Sequence, residues 1–283
     1  MPNREKIELL VSFLNETDAV AIQNITTELT SLNYEGNNIL KELLHTLNST
    51  EATKRLKRII EVNNLRIIES DILKAAHNNK LSLLDWLCFI NKLEYPDLDT
   101  AAIKTHVGKM AKDIWLRFES NDNPIDAAEN LTHFFTKEGR FKIIPIEEAN
   151  VKHFLLNDVL TTGEVALLFL NILYVCIAQL TGLPIVPLRL ADNLFVAFEN
   201  KGDYNISIIS NRYLFFIDTV SFEPFAESTV PAEFRDKGSG KLVLEPHTNS
   251  TLASILIEWM ATCAEKNQQA KKVTFLRALA EKL

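Results

Sequence analysis

The chain has 283 residues, 47% of them hydrophobic and 24% charged, which is ordinary for a globular protein with one large domain or two small ones. Its net charge of −7 argues against a nucleic-acid partner, because phosphate backbones are held by Lys and Arg. Only 8 glycines favour helix, and the 3 cysteines, Cys88, Cys176 and Cys263, are too far apart for a zinc-type spacing.

Taken in order, residues 4–15 put Ile7, Leu10, Val11 and Leu14 on one helical face, and residues 18–32 repeat the pattern with Ile22, Ile25, Leu29 and Leu32. Asn38 is the expected cap of a third helix carrying Leu40, Leu43, Leu44 and Leu47. Ser49 or Thr50 caps a fourth, with Ala52, Leu56, Ile59 and Ile60 inward. Short amphipathic helices in series bury their faces by stacking in pairs. Residues 1 to about 64 therefore read as two helix pairs resembling HEAT-type repeats, within a helical region of residues 1–79. The densest basic cluster, Lys54, Arg55, Lys57 and Arg58, reads as a solvated helix face.

Glu69 or Asp71 is expected to begin another short helix, and Ser82 caps the next, which runs to Leu93 before Pro96 breaks it. Asp99 caps a long helix with Ile103, Val107, Met110 and Ile114 inward. Asn123-Pro124 is a cap followed by Pro at the first helical position, for a helix carrying Ile125, Ala128, Leu131 and Phe135 and ending near Gly139. Arg140–Pro145 reads as a short strand or extended link, and His153–Leu160 as a further helical turn.

The stretch from Thr161 to Pro184 is the centre of the chain. From Val165 to Ala178 every residue is apolar or aromatic except Asn171, so this helix is buried on all sides. At about 14 residues it is shorter than the roughly 20 a bilayer span requires. Thr161 and Glu164 form a capping-box pattern at its start, and Gly182 followed by Pro184 stops it. Short strands follow at Ile185–Leu190, Leu194–Phe198, Tyr204–Ser210 and Tyr213–Asp218. From Phe222 to Asn249 the chain is a long connection with Pro224, Pro231, Pro246 and a Gly238-Ser239-Gly240 turn. Asn249 or Ser250 caps a helix carrying Leu252, Ile255, Leu256 and Met260, and a last helix uses Val273, Leu276, Ala280 and Leu283.

The central helix, the Gly182-Leu183-Pro184 turn, the strands after it and Phe216-Ile217-Asp218 resemble the transglutaminase-like superfamily. With Leu93-Glu94-Tyr95-Pro96-Asp97-Leu98-Asp99 they resemble its bacterial SirB-type branch. The resemblance covers roughly residues 80–283. It implies an α+β fold, mostly helical. N-terminal helical repeats would precede a papain-like core of a buried central helix and a small antiparallel sheet, and a helix pair would end the chain. The domains it implies are a HEAT-like region at 1–79, a transglutaminase-like domain with a helical lead-in at 80–248, and a helix pair similar to tetratricopeptide helices at 249–283.

In that superfamily a Cys at the start of the central helix is the nucleophile, with His and Asp on adjacent strands. A helix N-terminus and a neighbouring His stabilise the thiolate, and the Asp orients the His. Counting back from Gly182 by the superfamily's spacing reaches Leu167, and counting on from Pro184 reaches Asn193. Only Asp218 keeps the expected residue type. No Cys or Ser occurs from Asn150 to Val175, and no His between His153 and His247. Thr161 reads as a helix cap, His153 as a surface or packing residue, Asn193 and Asp218 as a tie between strands, and Asn171 as a buried amide hydrogen-bonded to a loop. Thr161, Thr162, Glu164, Asn171, Asn193 and Asp218 are the residues expected at a peptide-sized cleft. Each Cys reads as a small buried hydrophobe.

The chain has no phosphate-binding glycine loop and no Gly-x-Ser-x-Gly elbow. No cofactor and no metal is expected. The N-terminal segment, with Glu5 and Glu8 among its apolar residues, is not a signal peptide, which points to the cytoplasm. The expectation is a catalytically inactive transglutaminase-like protein acting as a cytoplasmic protein- or peptide-interaction module, with neither nucleic acid nor membrane as partner. The alternative is a cysteine-type hydrolase or transamidase whose residues lie elsewhere.

Overall fold

The computed structural model describes residues 4–77, 81–118, 124–136, 138, 141–190, 193–200, 213–217, 223–229 and 246–283. The chain is mostly helical with a small antiparallel sheet, an α+β protein as the resemblance implied. It divides into two units, residues 1–77 with 92–96, and residues 78–91 with 97–283.

The first unit contains α1 (Arg4–Ser12), a 3₁₀ turn (Phe13–Asn15), α2 (Ala19–Leu29), α3 (Tyr34–Leu44) and α4 (Thr50–Ala76). Its core is Ile7, Val11, Leu14, Leu29, Leu40, Ala52, Leu56, Ile59 and Ile60, the apolar positions of the helical period. Asp18 caps α2 by accepting from the Val20 amide, and Ser49 caps α4 by accepting from Ala52. The third helix starts earlier than the expected Asn38 cap. Asn33 caps it by accepting from Gly36, and Asn37 is already buried inside it. Gly36 lies in this first turn because a Cβ there would meet the Leu32 side chain at 2.9 Å.

The break expected near residue 64, with a new helix from Glu69 or Asp71, is absent; α4 runs unbroken for 27 residues. Asn63-Asn64 reads locally as punctuation, since Asn is a poor helix former. Both side chains are used in tertiary bonds instead. Asn63 Nδ2 donates to the Leu29 carbonyl at 2.8 Å, and Asn64 Oδ1 accepts from Asn37 Nδ2 at 2.8 Å. Packing overrides the local preference.

The second unit contains α5 (Leu83–Lys92), α6 (Thr100–Trp115), α7 (Pro124–Thr136), β1 (Lys142–Ile144), a 3₁₀ turn (Val151–Phe154), α8 (Leu156–Thr162), β2 (Glu164–Ala166) and α9 (Leu167–Thr181). Then follow β3 (Ile185–Leu190), β4 (Asn193–Glu199), β5 (Tyr213–Ile217), β6 (Pro224–Phe225), α10 (Asn249–Lys266) and α11 (Ala270–Ala280). Ser82 and Asp85 cap α5 reciprocally. Ser82 Oγ accepts from the Asp85 amide at 3.1 Å, and Asp85 Oδ2 accepts from the Ser82 amide at 3.3 Å. Asp99 caps α6, whose Ile103, Val107, Met110 and Ile114 are all buried. Pro124 is the first residue of α7, as the missing N–H allows, whereas Ile125 is 47% exposed. Asn123 and the strand expected at Tyr204–Ser210 lie outside the described residues, as does most of the connection from Phe222 to Asn249.

The larger sheet has the order β3-β4-β5-β6, antiparallel throughout. Pro187 sits in edge strand β3, where a missing amide costs least. β1 and β2 form a separate parallel pair. α9 packs on β3 and β4 and also against β1, β2, α6, α7 and α10. Every residue from Phe169 to Ala178 is therefore buried. Gly182 ends it with φ +79°, and the Leu183 amide donates back to Ala178 O at 2.9 Å. α10 and α11 pair on their apolar faces; Thr248, one residue earlier than expected, caps α10 by accepting from Thr251.

Candidate functional site

The approach to the central helix differs from the predicted capping box. Thr161 and Thr162 belong to the last turn of α8, and Gly163 at φ +74° stops that helix. Thr161 Oγ1 donates to Asn157 O at 2.7 Å; Thr162 Oγ1 donates to Asp158 O at 3.0 Å and accepts from the Glu164 amide at 3.1 Å. Both hydroxyls are thus engaged locally. Glu164 then opens β2, paired across the ladder with Lys142, and the central helix begins only at Leu167 with no side-chain cap. The signal that could have been read was Gly163, a C-cap between the two residues of the supposed box.

Glu164 Oε1 lies 2.9 Å from Lys142 Nζ, and its Oε2 lies 3.9 Å from His153 Nε2. The Lys142 hydrogen bond and charge hold the carboxyl below its usual range, with His153 adding to this and the slight burial opposing it. His153 also has a local role: its Nδ1 accepts from the Asn150 amide at 3.2 Å, closing a capping box on the 3₁₀ turn. With Nδ1 so occupied, the ring presents Nε2 to Glu164.

Leu167, the position that spacing assigns to the nucleophile, is the first residue of α9 and is half-buried. Asn171, one turn further, is 3% exposed, and its Oδ1 accepts no hydrogen bond from the described residues. Among the described residues the expected amide-to-loop bond is therefore not made; the apolar faces packed on this helix bring no donor to it. Asn193 opens β4 opposite Leu190. Asp218 follows β5 and lies outside the described residues. His247 reaches edge strand β3, where its amide donates to Pro187 O at 2.9 Å beside the Leu188–Pro246 bridge.

All three cysteines are free and buried. Burial pushes the Cys176 thiol up to about 12, with Cys88 and Asp85 adding to the effect. Burial also raises Cys263, partly offset by Lys266. The Tyr174 hydroxyl, 3.3 Å from Thr132 Oγ1, is likewise raised by burial. Among the described residues no group of three or more His, Cys, Asp or Glu is placed to hold a metal, and no helix is long and apolar enough to cross a membrane.

A buried helix running into a short antiparallel sheet, with its N-terminus flanked by a parallel strand pair, defines a helix-centred α+β core. Residues 101–253, more than half of the chain, match the family model of the transglutaminase-like superfamily, and the chain belongs to that superfamily. The chain is also 30% identical over 82 residues to the ATP synthase gamma chain of Malacoplasma penetrans, a match covering 26% of this chain and 28% of that one. No solved structure matches.

Proposed function

We propose that the protein is a catalytically inactive, cytoplasmic member of the superfamily, of the SirB-type branch, that binds a protein or peptide. The observation that carries this reading is Leu167 at the first position of α9. A papain-like mechanism needs a thiolate there, where the unpaired helix amides and a nearby imidazole would stabilise it. A leucine supplies no nucleophilic atom. The three thiols elsewhere are buried, and a thiol raised by burial stays protonated and unreactive at neutral pH. The nearby hydroxyls of Thr161 and Thr162 both donate to carbonyls of their own helix.

In this reading Leu167, Asn193 and Asp218 stand at the positions of the ancestral triad. A peptide-sized cleft at the α9 N-terminus would also involve Thr161, Thr162, Glu164 and Asn171. The Leu93–Asp99 segment supports the SirB-type assignment, the helices before residue 80 a HEAT-like origin, and the α10–α11 pair a tetratricopeptide-like one. The test is an assay for transamidation, peptide cleavage and acyl-ester hydrolysis, run alongside Cys88→Ala, Cys176→Ala and Cys263→Ala. No turnover above background is expected. Turnover that disappears in one of the variants would overturn the reading in favour of a cysteine hydrolase.

A further inference from the structure

We propose that a groove between α2 and α4 in the first unit docks an acidic, amphipathic segment of a partner protein. The basic cluster read from the sequence as a solvated face is not uniform once folded. Lys54, Arg55 and Arg58 line the groove together with Glu51, while Lys57 does not. Ile22, Ile59 and Val62 give it an apolar floor, and Val62 is 45% exposed. The cavity is about 370 Å³, at the lower end of the ~300–1,000 Å³ of ligand-sized clefts.

The cations differ in what already holds them. Arg55 Nη1 donates to the carbonyls of Leu14 at 2.8 Å and Glu16 at 3.0 Å, and its Nε to Glu51 at 3.2 Å. It is a clasp between α4 and the end of the first 3₁₀ turn. Lys54 and Arg58 are exposed and have no ion pair or hydrogen-bond partner among the described residues. Arg4 and Lys6 of this unit, by contrast, are paired, Arg4 with Glu8 and Glu42 and Lys6 with Glu28. In a chain of net charge −7, two unpaired cations one helical turn apart over exposed aliphatic surface are a local reversal of charge.

The spacing and floor together specify the occupant. Side chains at i and i+4 of a helix are about 5–6 Å apart, which suits two carboxylates on one helical turn or at alternate positions of a strand. The aliphatic floor takes an apolar side chain beside them. A nucleic acid fits worse, since the groove has no aromatic side chain on which a base could stack. This proposal concerns the first unit and is independent of whether the core is catalytic.

The experiment screens the full chain against an array of random short peptides at physiological salt. It compares wild type, the Lys54→Glu/Arg58→Glu double variant, and Lys109→Glu/Lys112→Glu, which makes the same charge change on α6. Wild type and the α6 control are expected to select peptides with Asp or Glu flanking an aliphatic residue. In fluorescence anisotropy the groove variant should bind the selected peptides at least about tenfold more weakly, at an unchanged melting temperature. Selected peptides without acidic bias, equal binding by the groove variant, or tighter binding of a single-stranded oligonucleotide through the same two residues would each overturn the proposal.

Discussion

Replacing Asn171 with leucine should stabilise the protein. The residue is 3% exposed in a helix whose neighbours are apolar, and its Oδ1 accepts no hydrogen bond from the described residues. A buried polar group left unsatisfied costs about 1–3 kcal/mol, and removing it recovers that cost. Leucine is also the better helix former, by about 0.5 kcal/mol. Against these, its methyl groups are bulkier than the amide atoms, and near-isosteric core swaps cost up to about 1.5 kcal/mol. The balance is a gain of about 1 kcal/mol, which at this chain length corresponds to about 2–4 °C in melting temperature. Thermal unfolding followed by circular dichroism, with urea denaturation as a second measure, gives the answer. Asn171→Asp is the matched control, since it places a carboxylate in the same apolar surroundings and should destabilise clearly. A leucine variant that melts well below wild type would refute the reasoning, because it would mean that Asn171 serves a donor or a ligand in solution.

The other predictions rest on single contacts. Asn63→Ala should cost about 1–3 kcal/mol in denaturant unfolding, because the Leu29 carbonyl loses its buried donor; an unchanged midpoint would show that α4 does not depend on that bond. Gly182→Ala should cost about 1–2 kcal/mol from the left-handed backbone alone, since a Cβ there meets nothing within 4 Å, and an unchanged denaturation midpoint would contradict this. Iodoacetamide followed by mass spectrometry should leave Cys88, Cys176 and Cys263 unmodified in the folded protein and label all three after denaturation; rapid labelling of any one in the folded state would contradict its burial. Burial pushes the Asp85 carboxyl up, but hydrogen bonds from Lys104 and Ser82 and the Lys104 charge together hold it below its usual range. A depressed carboxyl stabilises above its unfolded value, about pH 4, and that contribution fades as pH falls through the lower folded value. Asp85→Asn should therefore flatten the acid limb of the stability curve, and an identical acid limb would show that the Lys104 pair contributes nothing.

What the sequence determined by itself was the set of elements whose signal is local. The apolar run of the central helix and its glycine stop, the Asp99 and Ser49 caps, the apolar stripes of α6 and α10 and the strand after Pro184 could all be read, because periodicity and end chemistry act within a few residues. The unbroken α4 could not, because two asparagines that weaken it locally are tied to Leu29 and Asn37, which are remote in sequence. Nor could the start of the central helix. Thr161 and Glu164 fit a capping box on paper; Gly163 marks the end of α8, but only the pairing of β2 with β1, 22 residues earlier at Lys142, shows that a strand intervenes. Position 167 was reached through the superfamily's spacing, and α9 starts at Leu167, but the state of Asn171 was not legible. Whether a buried amide finds a donor depends on every segment that packs around it, and that is settled only when the tertiary structure brings those segments together.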